Sequence, residues 1–198
     1  MSKLQKIKEI LTPYSDVIIF MVTLLAANYF WKFTMLGDES GEQVTWFGLD
    51  LTAFFEAVTV HVTAMVYRFV SLFRDTAYRV NDVTIRFLSG SGTSIVWGCT
   101  GIKQSFIFFW LILTVLPVKI KVSNLKFQIA KLLYILVGWL CCYLFNILRI
   151  GLITLFMEFH PSWFPLLHDW IFKYLFYFML FCLWWFFVEK IRSVALKR

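Results

Sequence analysis

Val17 to Leu36 is an almost uninterrupted apolar run, and comparable runs recur at 101–118, 132–156 and 169–188. A run of this length, at about 1.5 Å per helical residue, can cross roughly 30 Å of hydrocarbon. Inside a bilayer no water is available to the backbone, so a spanning segment has to satisfy its own N–H and C=O groups as a helix. The composition agrees: 60% of the 198 residues are hydrophobic and 20% are aromatic, where soluble domains run near half apolar. The first run is long for a signal-peptide core and lacks a small-residue cleavage site, so an uncleaved anchor is expected. The fold class that follows is an all-α integral membrane helical bundle, one multi-pass domain over residues 1–198.

Charge sets the topology. The first sixteen residues, the 119–131 loop and the 189–198 tail hold eleven of the nineteen Lys and Arg residues. Basic loops face the cytoplasm, so all three are assigned there. The net charge of +7 is thereby read as topology, and no nucleic-acid partner is expected. Two cytoplasmic segments need an even number of crossings between them, which 17–36 and 101–118 supply. Residues 51–73 are apolar enough to span, yet contain Glu56, His61 and Arg68, which are costly in lipid. Thr52, Glu56, Thr59, Thr63, Tyr67 and Ser71 recur at helical spacing as a polar stripe. The expectation is four spanning helices, with 51–73 an amphipathic or re-entrant helix on the outer side; five if 51–73 spans.

Residues 78–98 are not membrane-like. A β-branched stretch, the Ser89-Gly90-Ser91-Gly92 turn signal and a second short stretch predict a β-hairpin. It leads into Gly98-Cys99-Thr100-Gly101, at the mouth of the 101–118 helix. Unpaired N–H groups and the dipole at a helix N-terminus favour an anion, and thiolate is the reactive form of cysteine. A cysteine there is either a reactive thiol or a small packing residue. Cys141, Cys142 and Cys182 lie inside apolar runs and are expected to be buried and inert. No disulfide framework, metal-ligand spacing or cofactor motif is present.

In this topology Arg149 stands eighteen residues beyond Lys131, about 27 Å along a helix, and reaches the outer boundary. Asn146 lies one turn earlier on the same face. His168 opens the last span from the outer side. Cys99, Arg149 and His168 therefore share one depth. Arg149 is either a functional cation or an arginine snorkelling to headgroups. His168 and His160 are either interfacial or proton carriers, with His168 the better held, and His61 is a third candidate. Asp169 follows His168 but points about 100° away on a regular helix, so it is not assigned as the acid of a triad. Lys103 and Lys173 are expected to meet lipid phosphates.

The hairpin ending in Cys99-Thr100-Gly101-Ile102, then Asn146-Ile147-Leu148-Arg149, then His168 resembles the exosortase/archaeosortase family. The family's motifs are Cys-x-Gly followed by an aliphatic residue, Asn-x-x-Arg, and His or Arg at a third site. All three occur in order across roughly residues 78 to 188. The family often has Glu-Ala before the cysteine and Ser after it. Trp97-Gly98 and Thr100 stand there in this chain, so no carboxylate role is carried over.

The resemblance implies a membrane cysteine protease or transpeptidase of a prokaryotic cell membrane, with its site on the extracytoplasmic side. Its substrate would be an exported protein ending in a short motif, a membrane helix and a basic tail. Cys99 would be the nucleophile, His168 the proton carrier, Arg149 the stabiliser of negative charge, and Asn146 a supporting residue that orients Arg149 or binds substrate backbone. Water, a membrane lipid or a glycan would be the acceptor. The alternative from a different class is a non-enzymatic membrane assembly or transport protein in which the outer polar residues are structural.

Overall fold

The computed structural model describes residues 15–37, 43–115 and 124–196. Lys3, Lys6, Lys8, Asp38, Glu39, Glu42, Lys119 and Lys121 lie outside them, as does the far end of the expected 101–118 span. The described chain is predominantly helical: α1 (Ser15–Thr34), α2 (Thr52–Ser71), α3 (Ile102–Leu113), α4 (Asn124–Met157) and α5 (Phe172–Leu196). Four segments are long and apolar enough to cross a membrane: Ser15–Thr34, Thr52–Ser71, Phe127–Met157 and Pro161–Lys190. Four were expected, but the membership differs. Residues 52–71 qualify by length and composition, whereas α3 has twelve described residues, about 18 Å of helix.

Side-chain pairs fix the helix directions. Lys131 Nζ donates to the Leu113 carbonyl (2.9 Å), Trp139 Nε1 to that of Ser105 (3.0 Å) and Asn146 Nδ2 to that of Cys99 (2.8 Å). One helix ascends as the other descends, so α3 and α4 are antiparallel. The hydroxyls of Thr23 and Thr114 meet at 3.5 Å, and the Trp31 ring lies 5.1 Å from Phe106, so α1 is antiparallel to α3. The Tyr134 hydroxyl donates to the Leu183 carbonyl (2.7 Å) and Phe145 packs on Phe176 (4.9 Å), which makes α5 antiparallel to α4. These four helices share one core, with Phe20, Phe108, Leu111, Cys142, Phe176, Leu180 and Trp184 buried in it.

The helix α2 behaves differently. His61 meets Tyr143 (2.9 Å) and Thr76, just beyond the helix, meets Glu158 (3.3 Å), both pairs 82 residues apart. A constant offset means that α2 and α4 run the same way. It is therefore also parallel to α1, with only residues 35–51 between them. The described residues of that link stay beside the end of α1. Short antiparallel strands β1 (Met35–Leu36), β2 (Thr45–Trp46) and β3 (Leu49–Asp50) turn it over, and Trp31, Met35, Val44 and Phe55 pack as one cluster. The helix α2 starts beside the last turns of α1 and continues in the same direction.

Beyond α2 the expected hairpin at 78–98 is a three-stranded antiparallel meander: β4 (Ala77–Arg79), β5 (Thr84–Phe87) and β6 (Gly92–Ser94). A turn held by Asn81 Oδ1, which accepts from the Val83 N–H (3.0 Å), separates two strands where the sequence suggested one. Alternation turns Ile85 and Phe87 inward onto Val62, Val66 and Val70 of α2 and Ile150 of α4. The polar stripe on α2 is corrected too. Thr59 and Thr63 are buried, and their hydroxyls donate back to the Phe55 and Thr59 carbonyls. Glu56, His61 and Arg68 are the exposed polar residues. A Ser/Thr hydroxyl can satisfy itself on the preceding turn, so threonine spacing did not reveal the exposed face.

The bundle closes where side chains are absent. A Cβ on Gly138 would collide with the Phe108 ring in the core. Gly138→Ala is expected to lower stability by about 1–3 kcal/mol, as overpacking does. Gly90→Ala, where only a positive φ of 90° is at stake and no atom is near, should cost less, about 1 kcal/mol. Thermal unfolding of the purified protein in detergent checks the order.

Candidate functional site

The path into the site begins where the meander ends. The Ile95 N–H donates to the Val83 carbonyl (2.8 Å), and a single 3-10 turn follows at Trp97–Cys99. That turn is closed by Cys99 N–H to the Val96 carbonyl (2.9 Å) and by the Thr100 hydroxyl to the Trp97 carbonyl (2.7 Å). Gly101 then takes a left-handed φ of 82° and α3 starts. Glycine is needed there for φ and for space, because a Cβ would lie 3.0 Å from Asn146 Cγ. Cys99 thus sits just ahead of α3 on a rigid turn.

Asn146 holds that turn from behind. It is 1% exposed, and its Nδ2 donates to the Cys99 carbonyl at 2.8 Å. Asn146 thus fixes the backbone of Cys99, a contact that its place one turn before Arg149 on α4 did not reveal. The close approach of Gly101 brings the carbonyl within its reach.

His168 does not open a regular helix. Leu166–Ile171 form a π-helical turn that leads into α5. Such turns gather at functional sites and alter which neighbours face one another. The His168 ring stacks on Phe164, with centroids 5.0 Å apart and planes within 12°. Its Nε2 lies 3.8 Å from Cys99 Sγ, and its Nδ1 lies 2.8 Å from Asp169 Oδ1. Asp169 is therefore a partner of the imidazole, contrary to the regular-helix reading. Pro161 and Pro165, just upstream, were the signal that regular geometry should not be assumed. With Nδ1 donating to the carboxylate, a neutral ring presents its Nε2 lone pair to the thiol.

Arg149 is 6% exposed, and its Nε is buried without a hydrogen-bond partner. It lies within electrostatic reach of Cys99, Asp169 and Tyr177. Cys99, Arg149, His168 and Asp169 all line one cavity of about 660 Å³. The cavity is also lined by Lys32, Lys103 and Lys173, a grouping that the linear sequence did not reveal. Chemically the arrangement offers a thiol, a base oriented by a carboxylate, and a fixed cation. Among the described residues no cluster of His, Cys, Asp and Glu could hold a metal ion.

The other candidates fall elsewhere. His61 pairs with Tyr143, and His160 stacks on Trp163 at 5.2 Å. Cys142 is buried as expected, but Cys141 is only half-buried and Cys182 is exposed.

The geometry predicts how Cys99 reacts. Alkylation by iodoacetamide at neutral pH, mapped to Cys99 by mass spectrometry, should be fastest in the wild type. It should be slower in Asp169→Asn and slowest in His168→Ala, while Glu158→Gln should leave it unchanged. Equal rates in all four proteins would show that the imidazole does not act on the sulfur.

No protein-family model, curated protein or solved structure matches this chain.

Proposed function

We propose that the chain is a membrane cysteine transpeptidase or protease of the exosortase/archaeosortase kind. The observation that carries this reading is the row Cys99 Sγ, His168 Nε2 at 3.8 Å, and Asp169 on the other ring nitrogen at 2.8 Å, beside the buried Arg149. The three short motifs occur in order, and Cys99, Arg149 and His168, one from each, line one cavity. In this reading α1, α3, α4 and α5 form the membrane bundle. The helix α2 and the meander cover its extracytoplasmic end in a prokaryotic cell membrane. The substrate is an exported protein with a C-terminal motif, a membrane helix and a basic tail.

In the first step the Cys99 thiol proton passes to His168 Nε2. The sulfur attacks the peptide carbonyl, and the oxygen carries the negative charge of the tetrahedral intermediate. Arg149 remains protonated and neutralises that charge. The C–N bond then breaks, His168 returns the proton to the leaving amine, and a thioester is left on Cys99. Asp169 keeps the ring in the tautomer that accepts at Nε2 and supports the imidazolium, the part a carboxylate plays in a triad. Water or an amine then attacks the thioester and His168 takes the proton from that nucleophile; the C–S bond breaks, the acyl group leaves on the nucleophile, and His168 returns the proton to the Cys99 sulfur.

Substitution tests the reading in the cell of origin. Cys99→Ala should leave the protein in the membrane and substrate uncut. Arg149→Lys should slow cleavage by about 10²–10³, the usual cost of losing one charge-stabilising donor. Immunoblots that follow the shift from precursor to cleaved substrate measure both. Normal processing in Cys99→Ala would eliminate the proposed nucleophile and favour an assembly or transport role.

A further inference from the structure

The cavity extends from Cys99 into the apolar bundle, and there three helices line it with neutral polar side chains: Asn28 of α1, Gln104 of α3 and Tyr177 of α5. Neighbouring contacts give their depth. The Trp31 ring lies beside Phe106 and Thr23 meets Thr114, so Asn28 stands between those two levels. That is about 10 Å or more beyond Cys99 along the bundle. Gln104 is the third residue of α3, one turn before the buried Phe108. Tyr177 follows Phe176, which packs on Phe145 in the core.

The hydrogen bonding of these groups is incomplete. Gln104 Oε1 is buried without a partner, and the Asn28 amide makes no hydrogen bond among the described residues. All three side chains are half-buried. Polar groups inside an apolar bundle call for partners. The terminal torsion of a glutamine is soft, so the Gln104 amide can turn toward the cavity.

Their chemistry specifies the partner. Asn and Gln amides each offer donors and an acceptor, and a tyrosine hydroxyl does both. That is the complement of a peptide group, and none of the three carries a charge to match an anion. A helix conceals its peptide groups in its own hydrogen bonds. A bond at the head of a membrane helix is therefore open to attack only where the residues beside it are extended. The N–H and C=O groups released there need partners, because irregular backbone at membrane depth is tolerated only inside protein or along a cavity.

We propose that Asn28, Gln104 and Tyr177 form a subsite for the extended peptide that follows the scissile bond, and hold the first residues of the leaving fragment by hydrogen bonds to their backbone. The direction follows from depth. The subsite lies on the bundle side of Cys99, and the substrate's membrane helix lies on the leaving side of the bond. The assignment rests on the peptide chemistry proposed above.

The test uses the full chain in an uncharged detergent and four probes that alkylate Cys99 by losing iodide: iodoacetamide, iodoacetyl-trialanine amide, its analogue with N-methylated alanines, and N-octyl iodoacetamide. In the peptide probes the chain runs from the acyl carbon in the direction of a leaving fragment. Each rate is divided by the iodoacetamide rate of the same protein, which cancels changes in the thiol itself. The trialanine probe should be about tenfold or more faster than iodoacetamide, and the methylated and octyl probes should lack that advantage. Asn28→Leu and Gln104→Leu should each lower it by about threefold to tenfold, the range of one neutral hydrogen bond. An octyl probe as fast as trialanine would show a merely apolar slot. An equally fast methylated probe would show that backbone N–H groups are not read, and an unchanged advantage in both variants would show that other residues hold the peptide. Each of these overturns the subsite. Alkylation is read without cleavage, so the two ideas fail separately. Normal substrate processing in Cys99→Ala overturns the transpeptidase reading, whereas Cys99-dependent processing without a trialanine advantage overturns the subsite alone.

Discussion

The hydrogen bond from Asn146 Nδ2 to the Cys99 carbonyl is the constraint on which the site depends. It ties the middle of the longest helix to the one turn that carries the thiol. Leaving the buried Asn146 amide unpaired costs about 1–3 kcal/mol, so the two are held together. Gly101 makes the approach possible, because it accepts the left-handed φ and has no Cβ to strike Asn146. With that turn fixed, the sulfur has a defined position against the imidazole. The π-helical turn completes it by directing His168 and Asp169 toward each other.

The helix α4 gives the molecule two layers. It has 34 residues, about 51 Å of helix, which is longer than a bilayer core requires. One part packs with α1, α3 and α5, and the rest packs with α2 and the meander. The cavity lies where the layers meet. Arg149 lines it, and the equally buried Asn146 sits one turn earlier on the same segment of α4. The ion pair of Arg74 with Glu158 (3.0 Å) ties α2 to the far end of α4. Arg74 is well exposed, so this pair directs the chain more than it stabilises it.

A buried arginine without a hydrogen bond on its Nε is expensive in an apolar bundle. Among the described residues Cys99, Asp169 and Tyr177 lie within its electrostatic reach, and Asp169 already serves His168. Replacing such a side chain with a hydrophobic one would ordinarily favour folding. In the proposed mechanism the negative charge on a reacting carbonyl oxygen offsets that cost. The physics is that of a preorganised cation in a site of low dielectric.

The amino-acid sequence by itself determined the helical class, the apolar segments and the candidates Cys99, Asn146, Arg149 and His168. Backbone satisfaction in lipid leaves few options, and a rise of 1.5 Å per residue converts spacing into depth. It misplaced what depends on irregular local geometry. Asp169 was left unassigned by a regular-helix angle that a π-helical turn does not keep, and one expected strand was two separated by the Asn81 turn. The tertiary structure alone decided that Asn146 serves the Cys99 backbone, that α2 continues the direction of α1, and that Lys32, Lys103 and Lys173 share one cavity. Those facts arise from pairings between residues tens to more than a hundred positions apart, and helical periodicity describes only which face a residue occupies, not which neighbour that face meets.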